Sequence, residues 1–205
     1  MNAFQEIINN DNIVKHYFRF RDNVHTESIN KLIGEINKTK WGKAEDIAFI
    51  FYISTFGGSL YSVQHLVTQL RKIKRLKKDE TNNQCYIITI AYGACHSAGT
   101  VLHMCGDIRL SNVSCNYMIH DYHRKDSKTG KVVNISSYKK ERRSIKYRKY
   151  IHTYTSIPNL SKRRLYNMLK RTTFMSATET HIYGFSHDVI NVDKIKNICH
   201  PRKLE

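Results

Sequence analysis

The chain has 205 residues, of which 40% are hydrophobic and 11% aromatic, and this is enough for one domain with a sizeable core. With 2 prolines, 9 glycines and no linker-like stretch, the sequence gives no reason to divide that core. No apolar run approaches the ~20 residues of a membrane span, and the first residues lack the basic and apolar regions of a signal peptide. These features exclude a membrane-spanning class and favour a cytoplasmic protein.

The charge is strongly positive, because 34 Lys and Arg against 17 Asp and Glu give a formal net charge of +17. Such an excess attracts nucleic acid, acidic partners or acidic substrates. No recognised nucleic-acid motif accompanies the charge, so the simpler interpretation is a set of solvated basic faces.

The five cysteines are an odd number without CxxC spacing, which favours reduced thiols over a disulfide framework. A zinc site built from the cysteines and histidines near the middle of the chain is the weaker alternative, because His120 and His123 are the only closely spaced pair. We therefore expect no metal and no cofactor.

The first elements alternate between strand and helix. Residues 1–15 are polar with scattered apolar positions and predict a short helix or a partly ordered arm; residues 16–20 then alternate like a strand, and Thr26 is a candidate N-cap for a helix with one apolar face. Residues 47–53 form a continuous apolar run, as expected of a parallel strand buried on both faces. A Gly-Gly pair at 57–58 then precedes a long helix that becomes very basic at 71–78. This rhythm predicts an α/β fold of repeated βαβ units.

Residues 85–90 read as another buried strand, which breaks at Gly93, and helical spacing resumes at 101–104. This pattern predicts that Ser97 lies on a tight strand-to-helix turn. A hydroxyl there lies beside free backbone N–H groups and the positive end of the helix dipole, which suits a nucleophile whose attack creates an oxyanion. The alternative is that Ser97 only caps the helix.

Two short strands follow, at 107–110 and 117–120, and the second ends at His120, which can accept a serine proton near neutral pH. A polar loop at 121–130 leads to a long, charged helix at about 135–155. Tyrosines lie among the Lys and Arg residues of this helix, which favours packing in a protein–protein interface. A nucleic-acid-binding surface is the alternative.

The last elements are short. Ser161 caps a helix at 162–170, and Ser176 and Glu179 form a capping box that begins another helix, which Gly184 ends. We expect residues 188–192 to form an edge strand and residues 196–205 to form a basic tail. We therefore expect an N-terminal arm at 1–15, a single domain at 16–195 and this tail.

Four segments in this order resemble the motifs of the ClpP family, the proteolytic subunits of the Clp protease. That family has a Ser-Pro-Gly-Gly-Ser-like turn, a Gly-x-Ala-Ser-Met-Gly-like nucleophile turn, Met-Ile-His, and a Phe-Leu-Ser-Ala-x-Glu-Ala-x-x-Tyr-Gly-like segment. Here the four places read STFGGS at 54–59, GACHSAG at 93–99, MIH at 118–120 and FMSATETHIYG at 174–184. The resemblance covers roughly residues 17–192 and implies the ClpP/crotonase fold, with a protruding handle helix at about 135–155.

The resemblance also implies roles for individual residues. Ser97 would be the nucleophile and His120 the base of a serine peptidase, with the backbone N–H groups of Gly58 and Ala98 as the oxyanion hole. Three further residues would line the substrate site: Gly57, Ser59 and His96.

The third catalytic position departs from the family. Where the family has an aspartate, this chain has Thr172, whose hydroxyl can orient an imidazole but carries no charge. Asp121 is a substitute acid, although neighbours on a strand point to opposite faces.

The leading hypothesis is a ClpP-like serine peptidase that acts through an acyl-enzyme within a self-compartmentalised, homo-oligomeric ring. In the family two heptameric rings pair with each other, and a Clp-type ATPase unfoldase docks on them. One alternative is a catalytically impaired ring subunit that serves as scaffold or regulator, in some assemblies with an active paralogue. Two weaker alternatives are a basic nucleic-acid-binding oligomer and a crotonase-type acyl-CoA enzyme.

Overall fold

A computed structural model describes residues 3–39, 45–125, 129, 131–134, 150, 152–154, 157 and 160–195. The elements in chain order are α1 (Ala3–Asn9), β1 (Ile13–Phe20), α2 (Thr26–Lys38), β2 (Asp46–Thr55), α3 (Leu60–Thr81), β3 (Cys85–His96), α4 (Ala98–His103), β4 (Ile108–Asn112), β5 (Asn116–Ile119), β6 (His123–Lys125), β7 (Val132–Asn134), α5 (Lys162–Arg171), β8 (Thr173–Ser176), α6 (Ala177–Ile182) and β9 (Asp188–Ile190).

The main sheet has the strand order β1-β2-β3-β4-β9, and every pair along it is parallel. The first four strands follow one another in the chain, and helices α2, α3 and α4 connect them. The predicted α/β class with repeated βαβ units is confirmed. Strand β9 lies at the sheet edge, as predicted.

Strand β2 lies between β1 and β3 and is buried on both faces. The core residues on one face are Ile47, Phe49, Phe51 and Ile53, which share a cluster with residues of α2, α3 and α4. The opposite face carries Ala48, Ile50 and Tyr52, which share a second cluster with residues of α1 and β9. The continuous apolar run therefore forms the doubly covered strand that its composition predicts.

Strand β3 leaves the main sheet at its carboxyl end. The pairing with β2 shifts between Ile53 and Thr55, where β3 carries two extra residues. Gly93 lies in this bulge with a φ of 79°, which suits a residue without a Cβ. The strand does not break at Gly93, as the sequence suggested; it continues to His96 and pairs with β5 over its last three residues. Strand β5 in turn pairs antiparallel with β8.

Several local predictions are wrong. Strand β1 begins at Ile13, three residues earlier than expected. Helix α2 is capped by His25 and not by Thr26, because Nδ1 of His25 accepts the N–H of Ser28 at 3.0 Å. The segment predicted as a polar loop after His120 contains β6, which pairs with β7, and strand β8 was not predicted.

Two predicted caps are confirmed. The Ser161 side chain accepts the N–H of Arg164 at the start of α5. At the start of α6, Ser176 Oγ accepts the N–H of Glu179, and a Glu179 carboxylate oxygen accepts the N–H of Ser176 at 2.8 Å.

The predicted handle helix at 135–155 and the predicted tail at 196–205 lie almost entirely outside the described residues. The exceptions are residues 150 and 152–154, which are helical. Within the described ranges, no helix is both long and apolar enough to cross a membrane.

Candidate active site

Ser97 lies alone between the end of β3 and the start of α4, in a conformation with φ 54° and ψ −119°. A positive φ in a residue with a Cβ costs on the order of 1–3 kcal/mol, and such strain is typical of functional turns. The N–H of Ser97 donates to the carbonyl of Met118 at 2.8 Å, which ties the turn to β5. The Ser97 side chain makes no capping hydrogen bond to α4, so it is available for another role.

His120 follows β5 and faces this hydroxyl. Its Nε2 atom lies 2.6 Å from Ser97 Oγ, and its Nδ1 atom lies 2.6 Å from the backbone carbonyl oxygen of Asp121. A carbonyl oxygen only accepts, so Nδ1 carries the proton and Nε2 presents its lone pair to the serine hydroxyl. The imidazole is therefore held in the tautomer that can take a proton from Ser97.

Burial lowers the pKa of His120 below its usual value of 6.5, and the neighbouring His123 lowers it further. The hydrogen bond to the Asp121 carbonyl and the charge of the Asp121 carboxylate act in the opposite direction. The net shift keeps the imidazole neutral at pH 7, which is the form that a general base needs. The His123 ring lies against the His120 ring, with centroids 4.5 Å apart.

The Gly57–Gly58 turn approaches Ser97 from β2. A Cβ on Gly57, whose φ is 98°, would lie 2.6 Å from Ser97 Cβ, so only glycine fits without displacing Ser97. Gly58 forms a parallel bridge with Val24: the Val24 N–H donates to the Gly57 carbonyl, and the Ser59 N–H donates to the Val24 carbonyl. In this pattern the N–H of Gly58 points away from Val24.

Ala98 is the first residue of α4 and is buried. Its N–H is one of the helix N-terminal donors that have no partner within the helix. The structure places this amide close to the Gly57–Gly58 turn, since a Cβ on Gly57 would lie 3.1 Å from the Ala98 nitrogen.

Two of the residues predicted to line the substrate site also hold local structure. Ser59 caps α3, because its Oγ accepts the N–H of Ser62 at 3.3 Å. His96 Nε2 donates to Asn116 Oδ1 at 2.8 Å, so this imidazole bonds to β5 while the imidazole of His120 bonds to Ser97.

Thr172, the predicted third catalytic residue, makes no hydrogen bond to the imidazole in the described part of the chain, although the pairing of Ile119 with Thr173 brings it next to His120. It is an exposed residue at the end of α5, and its N–H donates to the carbonyl of Leu169. The place of a triad acid at Nδ1 of His120 is taken by the Asp121 carbonyl. The Asp121 carboxylate is buried, and its Oδ1 accepts the N–H of Tyr122 at 2.9 Å.

Two tyrosines behind the site were not predicted to belong to it. Tyr150 Oη donates to the carbonyl of His120 at 2.5 Å. Tyr154 Oη lies 2.6 Å from Thr100 Oγ1, which in turn lies 2.6 Å from the carbonyl oxygen of Ser97.

Both tyrosines are buried, at 4% and 0% exposure, so these two cannot belong to the nucleic-acid surface that was the alternative for this helix. Their spacing in the sequence carries no sign of contact with the catalytic turn. A backbone carbonyl as the partner of the imidazole has no sequence signature either.

In the described part of the chain, no group of three or more His, Cys, Asp and Glu residues is placed to hold a metal ion. The four cysteines described there are free thiols. Burial raises the pKa of Cys95, two residues before Ser97, well above its usual value, which keeps this sulfur in the unreactive thiol form.

The fold and the site together define a class: an α/β chain of the ClpP/crotonase type, with serine on a strand-to-helix turn and histidine at the end of the adjoining strand. The model of the Clp protease family matches residues 7–193, and the chain belongs to this family. This confirms the resemblance first seen in the four motifs.

Among solved structures, the fold is similar to that of the ClpP protease catalytic domain from Plasmodium falciparum, with a TM-score of 0.59 and 21% sequence identity. The match covers 90% of this chain and 88% of that one. A search of curated proteins finds no match to the chain.

Proposed function

We propose that this chain is a serine peptidase that hydrolyses peptide bonds through an acyl-enzyme on Ser97. The observation that carries this proposal is the 2.6 Å contact between Ser97 Oγ and His120 Nε2 on a strained strand-to-helix turn. Membership of the Clp protease family supports the same reaction class.

In the proposed first half-reaction, Nε2 of His120 takes the proton of Ser97 as Oγ bonds to the peptide carbonyl carbon. The developing oxyanion accepts hydrogen bonds from the N–H groups of Gly58 and Ala98. The imidazolium then gives its proton to the leaving amine, and the C–N bond breaks. In the second half-reaction His120 takes a proton from water as the water oxygen attacks the ester carbonyl; the bond between that carbon and Ser97 Oγ then breaks, and the imidazolium returns its proton to Oγ.

The Asp121 carbonyl takes over only part of the role of a triad carboxylate. It fixes the tautomer and orientation of His120 through one hydrogen bond, but it is neutral. The nearby Asp121 carboxylate raises the pKa of His120 and so stabilises the imidazolium from a distance. Because a correctly placed triad acid is worth about 10⁴ in rate, we expect turnover below that of a complete triad.

Labelling with a fluorophosphonate tests the proposal. One probe per chain on Ser97, found by peptide mass spectrometry and absent in Ser97→Ala, is the expected result. A folded protein that stays unlabelled at Ser97 would instead favour the catalytically impaired subunit.

The family also supports a homo-oligomeric ring as the working assembly, and we include this in the proposal. A ring would enclose the site, and a paralogous subunit or a Clp-type ATPase would be its partner. Light scattering coupled to size-exclusion chromatography tests it, since a monomer at micromolar concentration would contradict it.

A further inference from the structure

A buried tyrosine contacts the backbone of the histidine that would act as the base. Tyr150 is 4% exposed, and its Oη donates to the carbonyl oxygen of His120 at 2.5 Å. This carbonyl belongs to the peptide group that joins His120 to Asp121. The next carbonyl along the chain, that of Asp121, accepts the N–H at Nδ1 of His120. Tyr150 therefore holds the backbone one peptide group before the carbonyl that orients the imidazole.

Asp121 is fixed on both sides of its own carbonyl. On one side Tyr150 holds the preceding peptide group, and on the other side Asp121 Oδ1 accepts the N–H of Tyr122 at 2.9 Å. Since each residue has only two soft backbone dihedral angles, anchors on both sides restrict the direction in which the carbonyl points. The orientation of the His120 ring thus depends on the path of the chain at Asp121.

This path matters because the partner of Nδ1 is a backbone carbonyl and not a carboxylate. A carboxylate side chain can rotate about its own bonds to follow an imidazole, whereas a backbone carbonyl moves only with the chain. A displacement of about 1 Å at a catalytic group can cost about 10²-fold in rate. A residue that anchors this peptide group therefore affects the base more than it would beside a carboxylate partner.

The Tyr150 ring is itself held by aromatic neighbours. Its centroid lies 6.1 Å from that of Tyr122 and 5.4 Å from that of Tyr154, and the second pair meets edge to face at 90°. Such packing restricts the ring and so fixes the place of its hydroxyl. The alternative role for this hydroxyl is only to satisfy a buried carbonyl. The two roles differ in their effect on the imidazole.

We propose that Tyr150 is a positioning residue, whose hydrogen bond to the His120 carbonyl aims the Asp121 carbonyl at Nδ1. The imidazole then keeps its Nε2 lone pair directed at Ser97. This inference rests on the proposed function and deepens it.

The test measures kcat/KM for p-nitrophenyl acetate, an ester without an amino-acid side chain, from pH 4.5 to pH 8. It compares the wild type with Tyr150→Phe, which keeps the ring and loses the hydroxyl. The pH dependence of kcat/KM reports the pKa of the base in the free enzyme. Because the hydrogen bond to the Asp121 carbonyl raises the pKa of His120, weakening it should move the midpoint to lower pH. On the plateau, kcat/KM should fall about tenfold.

Tyr154→Phe is the matched control. It removes a buried hydroxyl from the same helical segment, but the partner of that hydroxyl is Thr100 and not the peptide group of His120. Its midpoint should stay at the wild-type pH, even if its rate is lower. A second variant, with 4-aminophenylalanine at position 150, places an N–H donor on the same ring. It should restore the midpoint and most of the rate.

An unchanged rate and midpoint in Tyr150→Phe would overturn the inference. A slower Tyr150→Phe whose midpoint equals that of Tyr154→Phe would also overturn it, since the loss would then come from packing alone. If Tyr150→Phe does not fold, the 4-aminophenylalanine variant decides, because a folded but tenfold slower protein would refute the role of the donor. Absence of ester turnover in the wild type, or equal turnover in Ser97→Ala, would contradict the proposed function itself.

Discussion

Ser97 is held in its strained conformation by contacts on three sides. Its N–H donates to Met118 on β5, its carbonyl accepts from Thr100, and Gly57 lies against its Cβ. Such a residue persists only where its surroundings over-determine it. The geometry of Ser97 therefore depends on its neighbours as much as on the serine itself.

Replacing Gly57 by alanine tests that dependence. The new Cβ would lie 2.6 Å from Ser97 Cβ at a φ of 98°, so the turn must shift, and we expect a loss of about 10²-fold in ester turnover. Gly34→Ala is the control, because Gly34 lies in α2 with nothing within 4 Å of a Cβ. It should keep activity and gain about 0.5–1 kcal/mol in unfolding free energy. Equal activity of the two variants would refute the close approach.

His123 lowers the pKa of His120 through its charge. Its removal takes away one cause of the low pKa of His120, so in His123→Phe, which keeps a ring, that pKa should rise. The neutral fraction of His120 at a given acidic pH then falls, and the midpoint of the pH–rate profile should move to higher pH. His65→Phe, at an exposed position of α3, should leave the midpoint in place. A midpoint that is unchanged or lower in His123→Phe would rule out this coupling.

At the scale of elements, the short strand β5 brings Ser97 and His120 together. His120 directly follows β5, and the Met118 carbonyl of β5 accepts the N–H of Ser97. Strand β8 pairs with β5 on the side away from β3. The sequence could predict β5 because it is an apolar run that ends at a histidine. It could not predict β8, because four residues directly after a helix carry too little periodicity to show a strand.

Some features of the candidate site could likewise be predicted from the sequence, and others could not. Ser97, His120 and the glycine turn follow from residue types at the junctions of strands and helices. The partner of His120 could not be predicted, because a backbone carbonyl belongs to every residue and only the chain path selects one. For the same reason the motif that predicts Thr172 at the third catalytic position could not show that this residue makes no hydrogen bond to the imidazole in the described part of the chain.

The capping box of α6 sets the start of a helix directly after β8. Ser176→Ala removes the Oγ that accepts the N–H of Glu179, and we expect a loss of about 1 kcal/mol in unfolding free energy by urea titration. Ser176→Thr keeps a hydroxyl and should lose much less. Equal losses in the two variants would show that the cap does not stabilise this helix.

At the scale of the whole molecule, this chain has the fold of a solved ClpP catalytic domain although their sequences are only distantly similar. The TM-score of 0.59 accompanies 21% identity to the Plasmodium falciparum domain. In this chain the continuous apolar run of β2, which is covered on both faces, sets the layers of the fold.

A buried histidine makes the whole fold sensitive to acid. His103 donates from Nε2 to the carbonyl of Leu110 and is fully buried, and burial lowers its pKa to about 3. In the unfolded chain this histidine has a pKa near 6.5, so it binds a proton at pH values where the buried histidine of the folded chain stays neutral. The free energy of unfolding therefore falls as pH drops below 6.5. Between pH 7 and pH 5 this one group should cost about 2 kcal/mol.

Urea titrations at the two pH values measure this loss. His103→Asn removes the titrating group, so its stability, even if lower at pH 7, should fall by less between pH 7 and pH 5. An equal fall in wild type and variant would assign the acid sensitivity to other groups.

The second-order rate of fluorophosphonate labelling at Ser97, followed from pH 5 to pH 8 in wild type and His120→Gln, tests the catalytic pair most directly. In the wild type the rate should rise with pH through a midpoint below 6.5 and then level, because neutral His120 is the base. In His120→Gln the rate should fall by about 10³-fold or more and lose that midpoint. Labelling of Ser97 at the same rate in both proteins would contradict the pairing of this serine with this histidine.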